Sequence, residues 1–275
     1  MRRISTLAAA AMLCSFTLGQ LGSPPSAHAG GKLRFDWATA KPPKHFLGGG
    51  GTINFVFKLK GTGYRNLRID IIRLGSERVR IIPLRGVPAG HRYVQRWNGL
   101  NVRGKPAKAG TYVFKVKNTN GKRISLKKVP GKRSMGYYPY KFPVRGVHTY
   151  GDGLGAPRKG HTHQGQDVFA PCGTPLVAPR GGRVQYRGYQ GAAGHYLVLD
   201  MWHTKMDAVF MHLRGKSPLA AGRKVRTGKT IGWVGQSGNA SGCHLHFELW
   251  SSPGWYEGGR FLNPTRKLRR WDSWS

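Results

Sequence analysis

Short apolar–polar alternations divided by glycine turns, with no sustained helical period, constrain this chain more than any other feature. Thr52-Ile53-Asn54-Phe55-Val56-Phe57 alternates, as do Leu67-Arg68-Ile69-Asp70-Ile71 and Val79-Arg80-Ile81, and Tyr112-Val113-Phe114-Lys115-Val116 closes the set. Successive side chains on a strand point to opposite faces, so this pattern buries one face and wets the other. Gly48 to Gly51 and Gly61-Thr62-Gly63 punctuate the series. Residues 46–125 are therefore expected to form a small antiparallel sandwich. A second glycine-divided series begins at Val147: Arg183 to Tyr186 alternates, Tyr196 to Asp200 reads as a buried strand, and Ala208 to His212 and Leu245 to Leu249 follow. It predicts a second all-β domain with a groove over residues 147–265. Residues 126–146 read as a basic, turn-rich linker containing Tyr137-Tyr138-Pro139-Tyr140. Its tyrosines could stack on a ligand or pack on a neighbouring domain. The tail, 266–275, is basic and carries Trp271 and Trp274, with no assignable chemistry.

The N-terminal end has the marks of a secretory leader. Arg2 and Arg3 precede an apolar run from Leu7 to Leu18 that is too short to span a bilayer, and Ala27-His28-Ala29 has the small–x–small form of a cleavage site. Removal of residues 1–29 is expected, leaving a mature chain with no transmembrane segment, secreted and wall-associated or periplasmic. Leu13 before Cys14 is too bulky for a lipoprotein signal. Cys172 and Cys243 then remain, an even pair in an oxidising compartment, and a disulfide between them is expected in preference to a place for either in a metal site. The formal charge of +36, from 46 Lys and Arg against 10 Asp and Glu, calls for an anionic partner. The basic residues are scattered, which favours diffuse adhesion to anionic wall polymers over sequence readout of a nucleic acid.

Two histidine patterns carry the chemistry. One is His163-Gln164-Gly165-Gln166-Asp167, an H-x-x-x-D; the other is His244-Leu245-His246, an H-x-H; lone His212 lies between them. On a strand His244, His246 and Glu248 share a face while Leu245 and Phe247 point into the core. His163 and Asp167 share a face whether extended or helical, and small Gly165 leaves room for an ion. Three such donors with a fourth position open is the catalytic zinc pattern.

Two resemblances follow. Ala89-Gly90-His91, Arg96-Trp97-Asn98-Gly99, Gly104-Lys105-Pro106 and Ala109-Gly110-Thr111-Tyr112 resemble the immunoglobulin-like domain of flagellar hook-capping proteins. Trp97 would be its core anchor, Asn98-Gly99 a turn needing positive φ, and His91 a structural residue. From Gly151 to Glu257 the chain resembles the M23 (lysostaphin/LytM-type) zinc peptidases of bacterial peptidoglycan. The matching residues run from His163-x-Gly165-x-Asp167 through Ala170-Pro-x-Gly173-Thr174-Pro175, Met211-His212-Leu213 and Val225-x-x-Gly228 to Ser241-Gly242-Cys243-His244-Leu245-His246-Phe247-Glu248. The resemblance implies one zinc per chain on His163, Asp167 and His246, with His212 and His244 as the catalytic histidines that handle the proton and the oxyanion. Glu248 is then a supporting group, not a ligand. Cys243 replaces a common proline, and His195 a frequent asparagine; His161 and His195 are candidate groove residues.

The implied function is a secreted zinc endopeptidase cleaving peptidoglycan peptides. The alternative is a catalytically silent wall-binding or activator protein of the same type. A nucleic-acid binder has only the charge in its favour.

Overall fold

A computed structural model describes residues 33–76 and 78–275; the expected leader, 1–29, lies outside the described residues. The described chain is almost entirely antiparallel β, organised around two large apolar cores and a smaller cluster of Val198, Val209, Trp250 and Trp255.

The first core lies between two sheets. One has three strands in the order Phe35–Lys41, Ile53–Leu59, Arg92–Trp97; the other has five in the order Lys44–Phe46, Ser134–Tyr138, Gly110–Asn118, Tyr64–Arg73, Arg78–Pro88. Alternation does the work: Ile53, Phe55, Phe57 and Leu59 from one sheet meet Leu67, Ile69, Ile71, Tyr112 and Phe114 from the other. Trp97 anchors this core, its ring 5.0 Å from Tyr112 and its Nε1–H donating to the Leu100 carbonyl at 2.8 Å. The turn after it needs glycine twice over. Gly99 has φ +80°, and a Cβ there would stand 2.4 Å from the Tyr137 ring.

That ring belongs to the segment expected to be a linker. Ser134–Tyr138 is a strand, antiparallel to Gly110–Val113 and parallel to Lys44–Phe46, so the first unit runs from Phe35 to Tyr138 instead of 46–125. A few residues on, Phe142 and Val144 are buried in the second core. The stretch is therefore shared between the two units, and its tyrosines are structural. Tyr138 stacks on Trp274 at 5.3 Å and Tyr140 on Trp271 at 4.6 Å.

The second core lies under an eight-stranded sheet. Its order is Lys224–Val225, Gly182–Gln190, Gly194–Met201, Met206–Leu213, His244–Ser251, Gln166–Phe169, Thr149–Tyr150, with Phe261–Leu262 also paired to His244–Ser251. Leu197, Leu199, Ala208, Phe210, Leu245, Phe247 and Leu249 are fully buried beneath it. The tail departs from expectation: Thr265–Asp272 is a helix whose Leu268 and Trp271, spaced three apart, are both buried in this core. No helix among the described residues is long and apolar enough to cross a membrane.

Candidate metal centre

Strand pairing brings the two histidine patterns together. Asp167 lies directly opposite His246 in the antiparallel ladder, and Met211 opposes His246 on the other side, so the His244–Ser251 strand sits between the strands bearing Asp167 and His212. Opposed residues of one face have Cβ atoms about 5 Å apart, within ligand reach. His163 comes from the loop before the Asp167 strand and crosses the same point. Gly165 between them allows this, though not by leaving room for an ion. A Cβ there would lie 2.5 Å from the Phe247 carbonyl oxygen and 2.8 Å from His246 Nε2. It permits the close approach of the backbone to the central strand.

Three donor atoms converge. His163 Nε2 and His246 Nδ1 are 2.8 Å apart, and each is 3.0 Å from Asp167 Oδ1. The opposite edge of each ring is committed elsewhere. His163 Nδ1–H donates to the Gly153 carbonyl at 2.9 Å, and His246 Nε2–H donates to Glu248 Oε1 at 3.0 Å. The converging nitrogens thus present lone pairs to one another and to a carboxylate oxygen, an arrangement that needs a cation among them. All three side chains are buried, and together they form the metal-type cluster found among the described residues. Two imidazoles and a carboxylate, with outer hydrogen bonds that fix the rings, fit Zn2+.

Electrostatics point the same way with protons alone as counter-charge. Burial disfavours charge on Asp167, but hydrogen bonds and charge from His163 and His246 outweigh it and hold the carboxyl far below its usual range. Burial likewise works against His246, yet Asp167 and Glu248 lift it to about 9. Glu248 is itself 3% exposed and accepts from Trp250 Nε1–H at 2.6 Å, so its orientation is fixed in turn.

Beside the cluster stand His212 and His244, ring centroids 4.7 Å apart. His212 Nδ1–H donates to the Ser237 carbonyl at 2.9 Å and His244 Nδ1–H to the Gly242 carbonyl at 2.8 Å, and neither Nε2 makes a hydrogen bond among the described residues. Burial lowers the His212 imidazole to about 4; the Ser237 carbonyl opposes that fall and His244 and His246 add to it. His212 also has φ +57°, a left-handed conformation costly for a side-chain-bearing residue, at the bulge where its strand leaves register with Gly194–Met201. His244 Nε2 lies 3.7 Å from Asp167 Oδ1, at the edge of the cluster and not inside it.

The remaining histidines divide. His161 is exposed, with Nδ1 3.2 Å from the Lys159 carbonyl, and does not join the cluster. His195 opposes Leu213 across the ladder, and its backbone N–H donates to Ser237 Oγ at 2.9 Å, the residue whose carbonyl holds His212. Its ring meets Tyr189 edge-on at 5.0 Å. Cys172 and Cys243 are disulfide-bonded, with Cα atoms 5.2 Å apart, pinning the residue before His244 to the segment that follows the Asp167 strand. Arg158 enters as an addition, its guanidinium 2.9 Å from Asp152 and 3.4 Å from Asp167 Oδ2. Nothing in the sequence singled out Arg158, and Ser237 stood out only as part of the Ser237-Gly238 stretch that leads into the second histidine motif, with no role attached to it.

Residues 161–264 match the model of Peptidase family M23. An uncharacterized metalloprotease of Haemophilus influenzae is 30% identical over 158 residues, covering 56% of this chain and 32% of that protein. The peptidoglycan DD-endopeptidase ShyC of Vibrio cholerae is 35% identical over 87 residues, 32% of this chain and 20% of that one. The chain thus spans a third or less of these curated relatives. Among solved structures, the catalytic domain of lysostaphin from Staphylococcus simulans is 28% identical with a TM-score of 0.41, over 44% of this chain and 92% of that domain. All five converging side chains fall inside the stretch that is similar to Peptidase family M23.

Proposed function

We propose that this chain is an exported zinc-dependent endopeptidase that hydrolyses peptide bonds of bacterial peptidoglycan. The observation that carries the reading is the meeting of His163 Nε2, Asp167 Oδ1 and His246 Nδ1 within 3.0 Å, flanked by two histidines whose Nε2 atoms make no hydrogen bond among the described residues. Relatives named as peptidoglycan endopeptidases support the substrate class, and Ala27-His28-Ala29 supports export.

His163, Asp167 and His246 would hold the zinc, which when bound polarises the scissile carbonyl and eases deprotonation of a water. The chain's own groups do the rest. A carbonyl can only accept, so Ser237 and Gly242 fix the Nδ1–H tautomers of His212 and His244. Their Nε2 lone pairs are then available to take a proton from the attacking water and return one to the leaving amine. Burial keeps His212 neutral at neutral pH, the form a base requires. Whichever imidazole carries the proton becomes a cation beside the developing oxyanion and stabilises it.

The test is release of peptide fragments from purified peptidoglycan, identified by mass spectrometry. Wild type with zinc should release them, while His163→Ala and chelator-treated protein should not. Hydrolysis surviving both treatments overturns the reading. A chain that binds one zinc yet releases nothing would instead be a silent wall-binding module.

A further inference from the structure

A cleft of about 720 Å3 lies where the helix Thr265–Asp272 faces the first unit, lined by residues from both. Arg73 and Lys108 line one side; Arg266, Lys267 and Arg270 line the other. No acidic residue lines it, and none of these five cations makes an ion pair among the described residues. Four of the five are exposed, and Arg73 is held in place by the Ala109 carbonyl at 3.3 Å and Ser76 Oγ at 3.2 Å. Like charges gathered on two facing walls without counter-charges repel one another, and a ligand carrying spaced negative charges relieves that repulsion.

The aromatic residues narrow the ligand. Single-stranded nucleic acid sites use bare aromatic faces on which bases stack. Here Trp271 is 2% exposed and stacked on Tyr140, while Trp274 is stacked on Tyr138 and covered by the Arg270 guanidinium at 5.3 Å. Neither offers an open face to a base. What remains is a channel that reads anions alone.

We propose that this cleft binds a flexible anionic polymer without bases, a polyol or sugar chain bearing one phosphodiester or carboxylate per repeat. The site is built from the first unit and the terminal helix, shares no residue with the metal cluster, and stands whether or not the peptidase reading does.

The test uses the full chain and three probes: poly(glycerol phosphate), polygalacturonate and a mixed-sequence single-stranded oligonucleotide. Binding is measured across a salt series for wild type, for Arg266→Gln/Lys267→Gln/Arg270→Gln, and for a comparator triple, Lys105→Gln/Lys122→Gln/Arg123→Gln, with the same loss of charge on exposed positions elsewhere. The cleft triple should weaken binding of at least one base-free polymer tenfold or more. Its log–log salt slope should fall by about 2, since each contact to a flexible strand contributes about 0.7. The comparator should change affinity less than twofold. Arg73→Gln/Lys108→Gln, on the opposite wall, should act in the same direction and guards against a local defect in the helix. The polymer whose binding falls identifies phosphodiester or carboxylate as the anion. Equal losses in cleft and comparator variants would overturn the site in favour of diffuse adhesion, and so would cleft-dependent binding confined to the oligonucleotide. Zinc content and cleavage of a short soluble peptide report on the metal centre separately and should not change.

Discussion

The Cys172–Cys243 bond closes a loop of 71 residues around most of the second unit, including the strands that bear His195 and His212. Replacing both cysteines by alanine frees that loop in the unfolded chain. The loop-closure entropy for this length is worth about 4 kcal/mol at 25 °C. The native geometry should survive, because the His244–Ser251 strand remains paired on both sides, to Gln166–Phe169 and Met206–Leu213. The penalty therefore falls on stability and not on the shape of the site. Two apolar cores need not unfold together, so a single melting curve is the wrong assay. Hydrogen exchange of the amides of Leu197, Leu199 and Phe210, all fully buried in the second core, reads that unit alone. With zinc saturating in both proteins, exchange at these amides should rise about a thousandfold, at 1.4 kcal/mol per tenfold. Amides of Ile69 and Ile71 in the first core should change little. A rise of less than tenfold in the second core would refute the claim that the bond acts by constraining the unfolded chain.

Three further outcomes are expected. Glu248→Gln keeps a partner for His246 but removes the buried charge, and should weaken zinc binding 10–100-fold in competition with a chromophoric chelator; unchanged affinity would show that Glu248 does not tune the ligand. Gly165→Ala forces a methyl against the Phe247 carbonyl and His246, so it should destabilise the second unit by about 1–3 kcal/mol and remove hydrolysis, measured by urea unfolding and fragment release. Asp207 is a buried carboxyl raised from 3.8 to about 6, chiefly by burial, with the Trp255 N–H opposing and Asp200 and Glu257 adding to the rise. Its folded form prefers the proton, so the penalty is absent below pH 3.8, grows as pH rises through about 6 and is complete above that. Asp207→Asn retains an acceptor for Trp255 N–H and should therefore gain about 2–3 kcal/mol at pH 8 and almost nothing at pH 3.5, by urea unfolding at the two pH values. Equal gains at both would refute ionisation as the cause.

Much of this architecture is legible in the sequence because it depends on side-chain alternation. Ile53 to Phe57, Leu67 to Ile71 and Leu245 to Phe247 bury the residues that their period-two pattern assigns inward. The donor cluster is legible for a related reason: His163 and Asp167, and His244 and His246, lie at short sequence spacings, the strands bearing Asp167 and His246 pair, and Glu248 and Trp250 continue the same face. What the sequence hid is of two kinds. Ser134–Tyr138 has Gly136 at its centre and basic residues before it, so its burial comes from the neighbouring Gly110–Asn118 strand and not from any pattern of its own. The terminal helix has only Leu268 and Trp271 facing inward among basic residues, too few to set a period. The carbonyls of Gly153, Ser237 and Gly242 orient three of the site's histidines, and a backbone group has no sequence signature. His161 shares a face with His163 in an extended reading, but a short hairpin with Pro157–Arg158 carries it out to solvent.

The segment from Ser134 to Val144 has a mechanical consequence. It is a strand in one unit and core in the next, so the two halves are joined as a splice and not as a tether. Lys44 Nζ adds a clasp, donating to the Trp274 carbonyl at 2.9 Å from the far side of the joint. An enzyme on a leash samples a sphere whose radius is set by linker length. Under the proposed function and the proposed polymer cleft, the splice works like a caliper: whatever the first unit and the terminal helix grip, the metal cluster would meet it at a fixed offset from that grip. Lengthening the splice with inserted glycines would then not extend the reach of the metal cluster but remove a strand from one sheet and two core residues from the other.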